Sequence, residues 1–126
     1  MEDELIQAAQ EACKFSYSPY SNFSVGAAIL TEDDQIFTGT NVENASLGLT
    51  MCAERVAVFN ALSHGHRKFK LLAVYTPTDI PVYPCGACLQ VISEFCDNLT
   101  IIIAWKRGKL RTTLNTLLTH PFRGEA

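Results

Sequence analysis

Cys85-Gly86-Ala87-Cys88-Leu89-Gln90-Val91-Ile92-Ser93-Glu94-Phe95-Cys96 is the stretch on which the reading of this chain turns. Cys88, Val91, Ile92, Phe95 and Cys96 stand at i, i+3, i+4, i+7 and i+8, the apolar stripe of a helix over about residues 85–95 that packs on a sheet. The sheet is legible on either side of it. Leu71-Leu72-Ala73-Val74-Tyr75 and Ile101-Ile102-Ile103-Ala104-Trp105 are short unbroken apolar runs, as expected of strands covered on both faces in the middle of a sheet. Cys96 belongs to the stripe and reads as a core residue.

A second helix is expected over about residues 51–63, apolar nearly all round, with Glu54, Arg55 and Asn60 as its strongly polar members. Polar side chains in the first turn of a buried helix need partners. Two extended segments, 24–30 and 35–41, are joined by Glu32-Asp33-Asp34, whose acidic and small character suits a hairpin turn. The N-terminal helix is expected over about residues 3–15, ended by Ser18-Pro19, with Cys13 facing the core.

With 126 residues, 48% hydrophobic and 18% charged, the chain fits one domain, 1–126, that buries roughly two-thirds of its unfolded surface. The net charge of -3 offers no broad attraction to phosphate backbones or anionic membranes, so neither nucleic acid nor membrane is an expected partner. The local basic run Lys106, Arg107, Lys109 and Arg111 around Gly108 reads as a solvated hairpin turn. No apolar run approaches the ~20 residues of a membrane span, and Met1-Glu2-Asp3-Glu4 is acidic where a signal peptide is basic, which makes the cytoplasm the expected location. Five cysteines is an odd count, read in a reducing compartment as metal ligands, nucleophiles or core.

Cys85 and Cys88 form a C-x-x-C pair on one turn at a helix start. Alone it fits a redox disulfide as well as half of a structural zinc site. Cys52 changes the balance, since it opens the other helix, after a Thr50 available as its cap, and has Glu54 two positions on. Three thiolates make an open zinc site with a position left for water, whereas a structural zinc closes with four protein ligands. His64, His66 and His120 are available as a fourth ligand, but His64 and His66 flank Gly65 beyond the helix end and read as loop. Three thiolates weaken the metal as a Lewis acid unless positive charge offsets them. Two helix N-termini and Arg55 supply that charge, and Glu54 is placed to take a proton from water and hand it to a leaving group.

Cys52-Ala53-Glu54-Arg55 and Pro84-Cys85-Gly86-Ala87-Cys88 resemble the two zinc motifs of the small homotetrameric cytidine deaminases. The likeness extends through residues 17–28 and through Asn41-Val42-Glu43-Asn44-Ala45-Ser46, and so covers nearly the whole chain. It implies a three-layer α/β/α fold with a five-stranded mixed sheet, one zinc ion per chain, and hydrolysis of cytidine or deoxycytidine to uridine or deoxyuridine with release of ammonia, as in pyrimidine salvage. Carried over by position, Glu54 is catalytic and protonates N3 while a zinc-activated water adds at C4. Phe23 packs on the base, Asn41 and Glu43 bind the ribose 3'-hydroxyl, and Ala53 joins the substrate contacts. The segment near Ala45 and the C-terminal Phe122 close a neighbouring subunit's pocket, so a homotetramer is implied.

Two positions depart from the family pattern. Leu89 stands where Arg is common, removing a positive charge near the thiolates and leaving Arg55 to act alone, and Leu47 stands where Tyr is common. They leave room for a bulkier substrate, a modified N4- or C5-substituted cytosine nucleoside or a nucleoside-like antibiotic. Readings of another class are a non-enzymatic zinc module, which would not need Glu54, and a thiol oxidoreductase, which would not need Cys52.

Overall fold

The computed structural model describes residues 1–124. Strands β1 (Gly26–Thr31), β2 (Ile36–Thr40), β3 (Phe69–Tyr75), β4 (Thr100–Trp105) and β5 (Gly108–Thr113) form one sheet in the order β2-β1-β3-β4-β5. β3 and β4 pair in parallel and the other neighbours antiparallel. A parallel pair needs a crossover, and α3 (Gly86–Ser93) lies within the one joining β3 to β4. The remaining helices are α1 (Glu2–Cys13), α2 (Ala53–Ser63) and the short α4 (Leu114–Leu117). The mixed five-stranded sheet and α/β class match the expectation.

Period-two alternation divides the central strands between two cores. Ala28, Leu30, Leu71, Ala73 and Ile102 meet Leu5 and Ala9 of α1 on one face. Ala27, Ile29, Leu72, Val74, Ile101 and Ile103 face the other way, onto Ala57, Val58 and Ala61 of α2 and Leu89 and Ile92 of α3. These strands are apolar at consecutive positions because both faces are covered, which gives the three layers. Cys13 and Cys96 are buried as expected, although α3 ends at Ser93 and leaves Cys96 in the loop beyond it.

The differences from the sequence reading have local causes. α1 ends at Cys13 rather than residue 15 because the next three amides, of Lys14, Phe15 and Ser16, bond to carbonyls three residues back, tightening the last turn and leaving Phe15 exposed. The Glu32–Asp34 turn forms, with Asp34 in the left-handed region at φ 67°. Lys106 and Arg107 make the expected turn between β4 and β5. Lys109 and Arg111 lie within β5, an edge strand whose half-exposed, largely polar side chains carried no strand signal, and they pair with Asp3 and Glu2 of α1.

Two glycines set how closely helices approach the sheet. A Cβ on Gly26 would lie 1.9 Å from the Ala9 carbonyl oxygen, and one on Gly39 would lie 2.3 Å from the Ala57 nitrogen and 2.6 Å from the Ala53 oxygen. The neighbours at Gly39 are backbone of the first two turns of α2 and cannot rotate aside. Gly39→Ala should therefore cost about 3 kcal/mol or more in urea denaturation, at the top of the range for overpacking. An unchanged midpoint would mean that α2 is not held this close.

Candidate active site

Cys52 and Cys85 are the N-cap residues of α2 and α3, both with extended backbone and neither engaged in a side-chain capping bond. Their sulfurs are thereby left free at two helix N-termini, where backbone N–H groups favour negative charge. Cys88, one turn into α3, is fully buried. Cys52 Sγ and Cys85 Sγ are 3.9 Å apart and Cys85 Sγ and Cys88 Sγ 3.5 Å, and all three lie within 4.8 Å of one another. Tetrahedral zinc with bonds of about 2.3 Å to sulfur needs sulfurs roughly 3.8 Å apart, so the donor set fits the ion in both chemistry and span. Among the described residues this is the one group of three such ligands, and the histidines do not join it. His64 and His66 instead flank the Phe37 ring, each with centroids 5.0 Å away.

Arg55 donates from Nη2 to Cys52 Sγ at 3.4 Å, and its Nε is buried without a partner. A guanidinium beside three sulfurs is the surrounding expected of thiolates rather than thiols. Hydrogen bonding from Cys88, with Arg55 and Cys85 adding, lowers the Cys52 pKa, while the Cys88 thiol is pushed up by sharing its proton with Cys52 and by burial. Thr50 does not cap α2. The helix starts at Ala53, two residues too late for it, and Thr50 Oγ1 accepts from the Asn44 amide instead. Leu89, read as a lost charge beside the sulfurs, is 4% exposed and packed in the core, where an arginine would need a buried partner.

Glu54 follows in the first turn of α2 and is 5% exposed. Burial pushes its carboxyl up to about 7, the Cys52 sulfur adds to the rise, and a backbone hydrogen bond and Arg55 oppose it. A carboxyl poised there gives and takes a proton with little loss either way.

These groups open into a pocket of about 330 Å³, lined by Cys52, Ala53, Glu54 and Cys85 and, further out, by Phe23, Asn41 and Glu43. Asn41 is buried. Its Oδ1 accepts from Ser16 Oγ at 2.6 Å and from the Val25 amide at 3.0 Å, and its Nδ2 donates to the Phe23 carbonyl at 2.7 Å. Glu43 Oε1 accepts from the Tyr20 and Ser21 amides at 2.9 and 3.1 Å, and Ser21 Oγ donates to Oε2. Ala45 and Phe122 do not line this chain's pocket. Ala45 is in an exposed stretch, and Phe122 is bound through its backbone to the Gln90 side chain with its ring 74% exposed.

Among the lining residues not anticipated as site residues, four have a signal that could have found them. Val82 and Tyr83 immediately precede Pro84-Cys85, so nearness to the motif was their signal. Val74 and Thr76 stand at the C-terminal end of β3, where open α/β sheets place their ligands.

The model of the cytidine and deoxycytidylate deaminase zinc-binding region matches residues 1–104. A cytidine deaminase of Halalkalibacterium halodurans is 52% identical over 123 residues, 96% of this chain and 93% of that protein. One of Sporosarcina psychrophila is 46% identical over 125 residues, 98% and 92% of the two chains. The crystal structure of cytidine deaminase from Burkholderia pseudomallei superposes with a TM-score of 0.92 at 44% identity, over 97% of this chain and 99% of that one. Identity at this level over nearly the full length, on the same fold, means that the chain belongs to the cytidine and deoxycytidylate deaminase family.

Proposed function

We infer that the chain is a zinc-dependent deaminase that hydrolyses cytidine and deoxycytidine to uridine and deoxyuridine, releasing ammonia. The observation that carries this is a cluster of three cysteine sulfurs, two of which, those of Cys52 and Cys85, line one pocket together with the buried carboxyl of Glu54. Cys52, Cys85 and Cys88 hold the zinc, which when bound is a Lewis acid that brings the pKa of water down toward neutrality. Phe23 packs against the base, and Asn41 and Glu43 hold the sugar hydroxyl. Glu54 takes a proton from the water that adds at C4 and gives it to N3. It then takes the remaining hydroxyl proton and delivers it to the amino group on C4, which leaves as ammonia as the carbonyl forms.

Arg55 sets positive charge against three thiolates, helped by the N-termini of α2 and α3. Arg55→Gln should lower kcat/KM about 10–100-fold and move the acidic limb of the pH profile upward, because a more negative site gives up protons less readily. An unchanged rate and profile would remove Arg55 from the mechanism.

Purified protein incubated with cytidine, deoxycytidine, free cytosine and N4-methylcytidine, with zinc measured alongside, tests the whole reading. Loss of cytosine-nucleoside absorbance with the first two and about one zinc per chain is expected. No turnover with zinc bound would refute it. A bulkier substrate gains nothing from Leu89, which is buried in the core.

The pocket takes a free nucleoside, and the net charge of -3 gives no hold on a polynucleotide. Five free cysteines suit a reducing cytoplasm. A homotetramer with shared pockets accounts for the exposed apolar residues Leu47, Leu49, Tyr83 and Phe122, at 73%, 68%, 48% and 74%. A fully active monomer in light scattering at assay concentration would end that part of the reading.

A further inference from the structure

We propose that Ser21 is a positioning residue: it locks Glu43 as a hydrogen-bond acceptor, ties it to Phe23, and so makes the Asn41–Glu43 pair select a substrate hydroxyl that donates and accepts at once. The proposal rests on the reading of Asn41 and Glu43 as the sugar-binding pair.

Donor and acceptor accounting leads to it. Asn41 Oδ1 already accepts two bonds, from Ser16 Oγ and the Val25 amide. Its Nδ2 has given one proton to the Phe23 carbonyl. The orientation of the amide is fixed, because a backbone N–H only donates and a carbonyl only accepts. One N–H is left for a ligand. At Glu43, Oε1 is occupied by the Tyr20 and Ser21 amides, and Oε2 holds the Ser21 hydroxyl with a lone pair remaining. The Ser21 hydrogen bond is the largest of the influences that hold the Glu43 carboxyl below its ordinary pKa, so this group stays an anion that can only accept.

The pair therefore offers one donor and one acceptor to the pocket that both residues line. An alcohol satisfies both. An ether oxygen satisfies Asn41 and turns lone pairs toward Glu43, and a hydrogen atom satisfies neither. Leaving either group unpaired in a closed complex penalises the ligand that does so.

Ser21 joins this pair to the base-packing residue. Its Oγ accepts from the Phe23 amide at 3.0 Å while its proton goes to Glu43. Phe23 is thus gripped at its N–H through Ser21 and at its carbonyl by Asn41. The intervening Asn22 sits at φ 56°, so the turn that brings Ser21 over Glu43 uses a left-handed residue of a type that tolerates it. Without the hydroxyl, Oε2 loses the one donor it has among the described residues and the carboxylate can turn about its Oε1 anchor. Its acceptor then falls out of register with the Asn41 N–H.

The test uses zinc-loaded parent enzyme, Ser21→Ala and Ser21→Thr, each with cytidine, 3'-deoxycytidine and 3'-O-methylcytidine. The parent should favour cytidine over both analogues by about 100-fold or more in kcat/KM. Ser21→Ala should narrow that preference about tenfold, with the loss on cytidine falling mainly on KM, and Ser21→Thr should restore most of it. A loss in Ser21→Ala that is equal for all three substrates, or a preference that stays intact, overturns the role of Ser21 alone. A parent enzyme that does not discriminate at all overturns the sugar-binding reading, and the proposal with it.

Discussion

Glu54→Gln should turn over cytidine at least about 1,000-fold more slowly than the parent enzyme while still holding about one zinc per chain. General acid–base catalysis by a positioned group contributes on the order of 10²–10⁴, and Glu54 is asked to move a proton at each of two stages. Glutamine keeps the shape of the side chain and its place in α2, but has no proton to give. The same change should stabilise the metal-stripped chain in alkaline solution. Glu54 has a folded pKa of about 7 against an ordinary 4.5, so between those values the folded chain binds more protons than the unfolded one. Stability then falls as pH rises through that window, and above about pH 7 the buried carboxylate costs roughly 3 kcal/mol. Glutamine removes the cost. Metal-stripped Glu54→Gln and parent should unfold alike near pH 4 and differ by up to about 3 kcal/mol at pH 8, with the variant the more stable. Destabilisation by glutamine at pH 8 would mean that the carboxylate is paired rather than merely buried, and appreciable residual turnover would take Glu54 out of the chemistry.

That opposition between activity and stability explains why the site is legible in the sequence. A glutamate in the first turn of a helix apolar nearly all round breaks the local pattern, and so do cysteines at two helix starts, where serine, threonine or aspartate are the usual caps. The core strands were equally open to reading, because β3 and β4 are covered on both faces and their apolar runs have no other use. β5 left no trace because an edge strand with half-exposed polar side chains, Lys109 and Arg111 among them, has the composition of a loop. Thr50 is not the cap; sequence alone does not show that α2 begins two residues further on, with Cys52 itself in the capping position. Leu89 adds its own burial to this: it stands off the stripe set by Cys88, Val91 and Ile92, and the buried face of α3 is wide enough to include it.

The sugar side was less legible, and the reason is physical. Asn41 and Glu43 could be named from the resemblance, but which of them donates and which accepts is decided by Ser16, Ser21 and the amides of residues 20, 21 and 25. Those partners are set by a turn containing a left-handed Asn22, and no periodicity announces them.

Removing one sulfur should be as damaging to the folded state as removing Glu54 is to turnover. Cys88→Ala leaves Cys52 and Cys85 as a pair in an open pocket, and two thiolates with no third protein ligand hold zinc far more weakly. The comparison that isolates metal binding from packing is Cys96→Ala. Cys88 lies on α3 and Cys96 in the loop just beyond its end, and both are buried, but Cys96 lies in the apolar core away from the cluster. Its loss should cost about 1 kcal/mol of packing, leave zinc at one per chain and leave turnover intact. Zinc stabilises only the chain that binds it, by about 4 kcal/mol when free metal is at 1,000 times its dissociation constant. For a domain of this size that is roughly 10–20 °C in Tm. A chelator should therefore lower the melting temperature of parent and Cys96→Ala by that amount, and should leave Cys88→Ala, already metal-free, nearly where it was. Cys88→Ala that retains one zinc and still melts lower with chelator would show that the metal is held without this sulfur. Equal behaviour of the two variants would mean that Cys88 serves packing, leaving Cys52 and Cys85 to hold the ion by themselves.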